Sequence, residues 1–131
     1  MFTLNNKIHL SNLKNNRHAL TSISSDDFAS LRRELLTCLQ VNDDDSHEHT
    51  WYLLGTDGCH LCQDAQTWMS FVLKTQPNPP TLTRLEIMNT KDITLLDTLG
   101  KYIPILITPT KLLCYPFSVM DINQLLTKSV S

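Results

Sequence analysis

Between Trp51 and Met88 the chain spells out a strand, a helix and a second strand, and this alternation constrains the fold more than any other feature. Trp51-Tyr52-Leu53-Leu54 is a short apolar run of the kind a buried strand presents. Gly55-Thr56-Asp57-Gly58 breaks it. From Leu61 to Lys74, the residues Leu61, Ala65, Trp68, Met69 and Val72 recur at helical spacing and predict one apolar face. Pro77-Asn78-Pro79-Pro80 stops that helix, because proline lacks the amide that a further turn would use. Leu82 to Met88 then reads as the next strand. Strands joined through a helix cannot form a hairpin, so they pair in parallel through a right-handed crossover.

The remainder extends this unit. Asp92 to Leu99 predicts a short helix with Ile93, Leu96 and Leu99 facing inward and Gly100 as its stop. Ile103-Pro104-Ile105-Leu106-Ile107 is a strand opened by proline. Thr108-Pro109-Thr110-Lys111 turns the chain, and Leu112-Leu113-Cys114-Tyr115 returns as the hairpin partner. Ser118 with Asp121 forms a capping box for a last helix, with Val119, Ile122, Leu125 and Leu126 inward. The order is β-α-β-α-β-β-α, an α/β fold with a mixed four-stranded sheet flanked by helices. It is assigned to residues 51–131.

Residues 1–50 differ in character and are expected to form an N-terminal extension. Met1 to Ser25 shows little periodicity and predicts a poorly ordered or loosely docked segment. Around 26–41 one amphipathic helix is expected, with Phe28, Leu31, Leu35, Cys38 and Leu39 along its stripe and Ser24 as its cap. Asp43-Asp44-Asp45-Ser46-His47-Glu48-His49 reads as a solvated acidic and histidine-bearing linker.

Charge is nearly balanced, at −2 over 131 residues, which argues against nucleic acid or an anionic membrane as the main partner. No run approaches the roughly 18 apolar residues of a membrane span. Met1 to Leu20 lacks the apolar core of a signal peptide, so a cytoplasmic protein is expected. In such a reducing compartment the four cysteines do not imply two structural disulfides.

Cys59-His60-Leu61-Cys62 follows a strand and opens a helix. There the unpaired amides and the positive helix end favour thiolate at Cys59. Cys62, nearly one turn on, can reach Cys59 and resolve a mixed disulfide. A protonated His60 would add to thiolate stabilisation, while Asp57 opposes it. A Cys59 pKa below that of free cysteine is expected. The same CxxC could be half of a zinc site, but Cys38, Cys114 and the histidines are not spaced as a second ligand pair, and no metal is expected. Cys38 and Cys114 read as small buried hydrophobes, His47 and His49 as linker residues.

Gly58-Cys59-His60-Leu61-Cys62, Tyr102-Ile103-Pro104-Ile105-Leu106 and Tyr115-Pro116-Phe117 together resemble the glutaredoxin-like family of the thioredoxin superfamily, over about residues 51–126. The resemblance implies a thioredoxin-like fold and a thiol–disulfide oxidoreductase with Cys59 and Cys62 as the catalytic pair. It implies that Pro104 is cis and lies beside the dithiol. Ile103 would then offer its backbone to an extended substrate, with His60 and Leu61 at the same binding surface. Typical glutaredoxins carry Cys-Pro-Tyr-Cys, a basic residue just before it and a Gly-Gly pair before the last helix. Here His60-Leu61, Thr56-Asp57 and Pro116-Phe117-Ser118 stand instead, which counts against glutathione as co-substrate. The expected partner is a protein or small-molecule disulfide, the expected state a monomer without a resident cofactor. The rival readings are a thioredoxin-fold binding module or redox sensor, and a metal or iron–sulfur carrier.

Overall fold

The computed structural model describes residues 25–41 and 49–130. The expectations for the segment before Ser25 and for the linker up to Glu48 fall outside those residues. In chain order the elements are α1 (Ser25–Cys38), β1 (Thr50–Gly55), α2 (His60–Lys74), β2 (Thr81–Glu86), a 3-10 turn (Ile87–Asn89), α3 (Ile93–Gly100), β3 (Ile105–Ile107), β4 (Leu112–Cys114) and α4 (Val119–Val130). The sheet order is β2-β1-β3-β4. β1 and β2 are parallel, in register from Thr50↔Thr81 to Gly55↔Glu86. β3 runs antiparallel to both β1 and β4, with Leu54↔Ile105 and Ile105↔Cys114 as partners. The described residues form a mixed α/β fold of four helices on a four-stranded sheet, consistent with a thioredoxin-like fold. Among the described residues no helix is long and apolar enough to cross a membrane.

The unbroken apolar run of β1 has a simple cause. The strand lies inside the sheet with helices on both faces, so Trp51 through Gly55 are all buried. Alternate side chains feed two separate cores. Trp51 and Leu53 join Ala65, Met69 and Leu73 of α2 and Ile122, Leu125 and Leu126 of α4. Tyr52 and Leu54 face the other way and join Leu95 and Leu99 of α3 with Phe28, Leu31, Leu35, Leu36 and Leu39 from α1 and its C-terminal turn.

The buried side chains of α1 therefore share one core with the sheet. Leu36 is fully buried although it was absent from the expected stripe, and Cys38 is only half-buried. The face pressed on the sheet runs through Leu31, Leu35 and Leu36 and leaves Cys38 on its flank. Arg32 ties the helix down further, with Nε donating to the Thr108 carbonyl at 3.3 Å and the guanidinium 5.9 Å from the Tyr52 ring centre. At the C-terminus Val41 N–H donates to Leu36 O at 2.9 Å and Gln40 N–H to Thr37 O at 3.1 Å, a Schellman closure with Gln40 left-handed at φ 68°.

Other expectations shift by part of a turn. In α2 the buried line is Cys62, Ala65, Met69 and Leu73, while Leu61 is exposed and Trp68 and Val72 are half-buried. In α3, capped by the Asp92 carboxylate on Leu95 N–H at 3.1 Å, Leu95 and Leu99 are buried and Ile93 is 80% exposed. Ile93 lies two residues before Leu95, so it projects from the far side of the helix. Gly100 is the last residue of α3 rather than a left-handed stop; Lys101 caps the helix at φ −79°. Val119 projects outward at the start of α4, while the Ser118–Asp121 box forms, with Ser118 N–H donating to Asp121 Oδ2 at 2.8 Å and Asp121 N–H to Ser118 Oγ at 3.3 Å. His49 is exposed, as a linker residue would be, and also makes two contacts: its Nε2 lies 2.9 Å from the Pro79 carbonyl, and its own carbonyl accepts from Thr81 N–H at 3.0 Å.

Candidate dithiol site

β1 ends at Gly55, and Thr56-Asp57-Gly58 carries the chain into α2. Gly58 has φ +83°, a conformation that a Cβ would disfavour. Cys59 is the N-cap of α2, in extended conformation, with its N–H donating to the Thr56 carbonyl at 3.2 Å. Caps are usually oxygens; here the Cys59 Sγ does that work and accepts from Cys62 N–H at 3.1 Å. Cys62 is fully buried in the first turn, and Cys59 is half-buried. The two form a disulfide with Cα atoms 5.2 Å apart. The two residues thus differ in burial, Cys59 partly exposed and Cys62 enclosed, and such a pair at disulfide distance is compatible with redox activity. His60 and Leu61, between them, are both exposed.

Pro104 and Ile103 reach the same end of the sheet. The β1–β3 register pairs Leu54 with Ile105, so Pro104 stands one step further along, opposite the exit of β1 at Gly55. Both the Ile103–Pro104 and Tyr115–Pro116 peptides are cis. Pro104 is buried, and its carbonyl accepts from Tyr115 N–H at 3.0 Å. The expectation of a free Ile103 backbone is corrected in one respect. The Ile103 N–H donates to Leu99 O at 3.1 Å, because the turn leaving α3 closes on that carbonyl.

Two charged residues of β2 were not anticipated. Arg84 donates from Nη2 to the Thr56 carbonyl at 3.0 Å and from Nη1 to Gln66 Oε1 on α2 at 3.2 Å. Glu86 accepts Asp57 N–H on Oε1 at 3.1 Å and Met88 N–H on Oε2 at 3.0 Å. Burial alone would raise the Glu86 carboxyl, but the Met88 amide, the Thr56 hydroxyl and the Asp57 amide, with Arg84 nearby, hold it below its ordinary value. The sequence did carry a signal. Arg84 and Glu86 share one face of a strand that lies under a crossover helix, a place where charges are seldom put without partners.

The other cysteines lie apart. Cys114 is buried in β4. Cys38 borders an open groove of about 630 Å³ with Thr37, Gln40, Lys91, Asp92 and Ile93. Burial pushes the Cys38 thiol up, and Asp92 and Glu34 add to the rise. Among the described residues no group of three or more His, Cys, Asp or Glu side chains is arranged to hold a metal ion. Set against protein-family models, curated proteins and solved structures, the chain matches none of them.

Proposed function

We propose that this protein is a glutaredoxin-like thiol–disulfide oxidoreductase acting on protein or small-molecule disulfides. The observation that carries the reading is the asymmetry of the pair: a half-exposed Cys59 capping a helix, with Cys62 fully buried behind it. In the reduced protein the amides of the first turn, Cys62 N–H among them, would stabilise a Cys59 thiolate, while burial would keep Cys62 protonated.

The cycle balances as two thiol–disulfide exchanges. The Cys59 thiolate attacks one sulfur of a substrate disulfide, forms a mixed disulfide and expels the other substrate thiolate, which takes a proton. Cys62 gives up its proton and attacks Cys59 Sγ, closing the Cys59–Cys62 disulfide and releasing the second substrate thiol. Two electrons pass from the dithiol to the substrate, and an external thiol reductant restores the pair. Pro104 and Ile103 would line the approach, with the Ile103 carbonyl as the backbone contact because its N–H is committed to Leu99. His60 and Leu61 would meet the substrate from the α2 side.

The basic residue and glycine pair that seat glutathione in typical glutaredoxins have no counterpart here, so a disulfide in a larger molecule fits this reading better. A monomer without a resident cofactor, in a reducing compartment such as the cytoplasm, completes it. The test is reduction of insulin or of a mixed-disulfide substrate. Cys59→Ser should abolish turnover, and Cys62→Ser should accumulate the Cys59 mixed disulfide, visible by mass spectrometry. Full turnover by Cys59→Ser would overturn the mechanism.

A further inference from the structure

We propose that Arg84 and Glu86 are positioning residues that set, in opposite directions, the redox balance of the Cys59–Cys62 pair. The inference rests on the dithiol reading above and deepens it.

Its basis is a shared acceptor. The Thr56 carbonyl receives the Arg84 guanidinium at 3.0 Å and the Cys59 N–H at 3.2 Å. A positive charge is therefore one hydrogen-bonded link from the backbone of the surface cysteine. The guanidinium is held closely. It lies against Gly55, where an added Cβ would fall 2.7 Å from Nη2, and it bridges to Gln66 on α2. Its Nε is buried and has no hydrogen-bond partner among the described residues, so packing and not solvent fixes its place. Glu86 grips the next residue of the same turn through Asp57 N–H, and its amide and hydroxyl donors keep it ionised.

Reducing the pair creates a new charge. The disulfide is neutral, whereas the reduced form carries a thiolate at Cys59. A fixed cation nearby favours that form and a fixed anion disfavours it. Asp57, His60 and Asp64 also stand near the turn, but all three are exposed and so more strongly screened by solvent than the half-buried Arg84. In a glutathione buffer the equilibrium is disulfide plus two glutathione thiols giving dithiol plus glutathione disulfide, so its constant reads this balance directly.

The experiment equilibrates the full chain, and the variants Arg84→Met, Arg84→Lys and Glu86→Gln, with reduced and oxidised glutathione. The dithiol fraction is read by alkylation and mass spectrometry, and the thiolate is titrated by absorbance. Arg84→Met should shift the equilibrium about tenfold toward disulfide, about 30 mV for a two-electron couple, and raise the Cys59 pKa. Arg84→Lys, which keeps the charge, should recover most of that shift. Glu86→Gln should move the equilibrium toward dithiol, and this sign alone decides the matter if Arg84→Met does not fold. Values within twofold of the parent protein for every variant, or a Glu86→Gln shift toward disulfide, would overturn the inference; the second is what a merely loosened turn would produce. A parent protein that reaches this equilibrium but does not reduce insulin would instead strike at the oxidoreductase reading itself.

Discussion

Replacing Leu35 by alanine tests whether α1 is a layer of the fold. Leu35 is 0% exposed and is packed among Leu31, Leu36 and Leu39 over Tyr52 and Leu54 of the central strand. Truncating a buried leucine costs about 2–5 kcal/mol, most where the surroundings cannot close the cavity. The neighbours here are themselves fully buried on a sheet, so about 3–5 kcal/mol is expected. That is about a fifth or more of the roughly 5–15 kcal/mol that stabilises an ordinary domain. With a urea m-value of about 1–3 kcal/mol/M, the unfolding midpoint should fall by at least about 1 M. Fluorescence of Trp51, buried in the core on the opposite face of the sheet, reports whether the loss reaches the whole domain. Ile93→Ala is the control, since that side chain is 80% exposed and its loss should cost no more than about 0.5 kcal/mol. If Leu35→Ala behaves like Ile93→Ala, α1 does not cover the sheet and the reasoning fails.

Two further outcomes follow from the titrating groups. Because Glu86 titrates below its ordinary value in the folded chain, its contribution to stability is complete above the unfolded carboxyl pKa, about 4.3, and disappears as pH falls through the lower folded value. Urea midpoints should therefore drop more steeply below about pH 5 in the parent protein than in Glu86→Gln, and parallel curves would contradict this. For the thiols, burial raises the pKa of Cys38, and Cys114 is enclosed in β4. In the reduced protein iodoacetamide near neutral pH should label Cys59 first, Cys38 slowly and faster as pH rises, and Cys114 only on unfolding; peptide mass spectrometry at timed intervals separates these rates.

Much of the site was legible because it is local. A CxxC needs only its spacing and its place between a strand and a helix to be read, and Gly58 marks the turn that delivers it. The Ser118–Asp121 box and the Thr108–Lys111 turn, where Thr108 Oγ1 accepts from Lys111 N–H at 3.0 Å, are likewise contained within a few residues. Arg84 and Glu86 were not legible in the same way. Their partners, Thr56, Gln66, Asp57 and, for Glu86, Met88, lie mostly far along the chain, and alternation within a strand does not say which residues of another element its charges will meet.

Helix faces show the same division. Periodicity identified α1, α2, α3 and α4 as amphipathic helices, yet Leu61, Ile93 and Val119 are exposed and Leu36 is buried. An apolar stripe a hundred degrees wide leaves its flanks undecided until a partner surface cuts across it. The sequence by itself determined the order of strands and helices, the parallel crossover and the dithiol at its first turn, since each depends on the propensities and spacing of neighbouring residues. Tertiary structure alone decided that α1 closes one face of the sheet, and that a cation and a carboxylate from β2 grip the turn before Cys59. Burial and long-range hydrogen bonding are properties of surfaces brought together, and no single segment contains both sides of the contact.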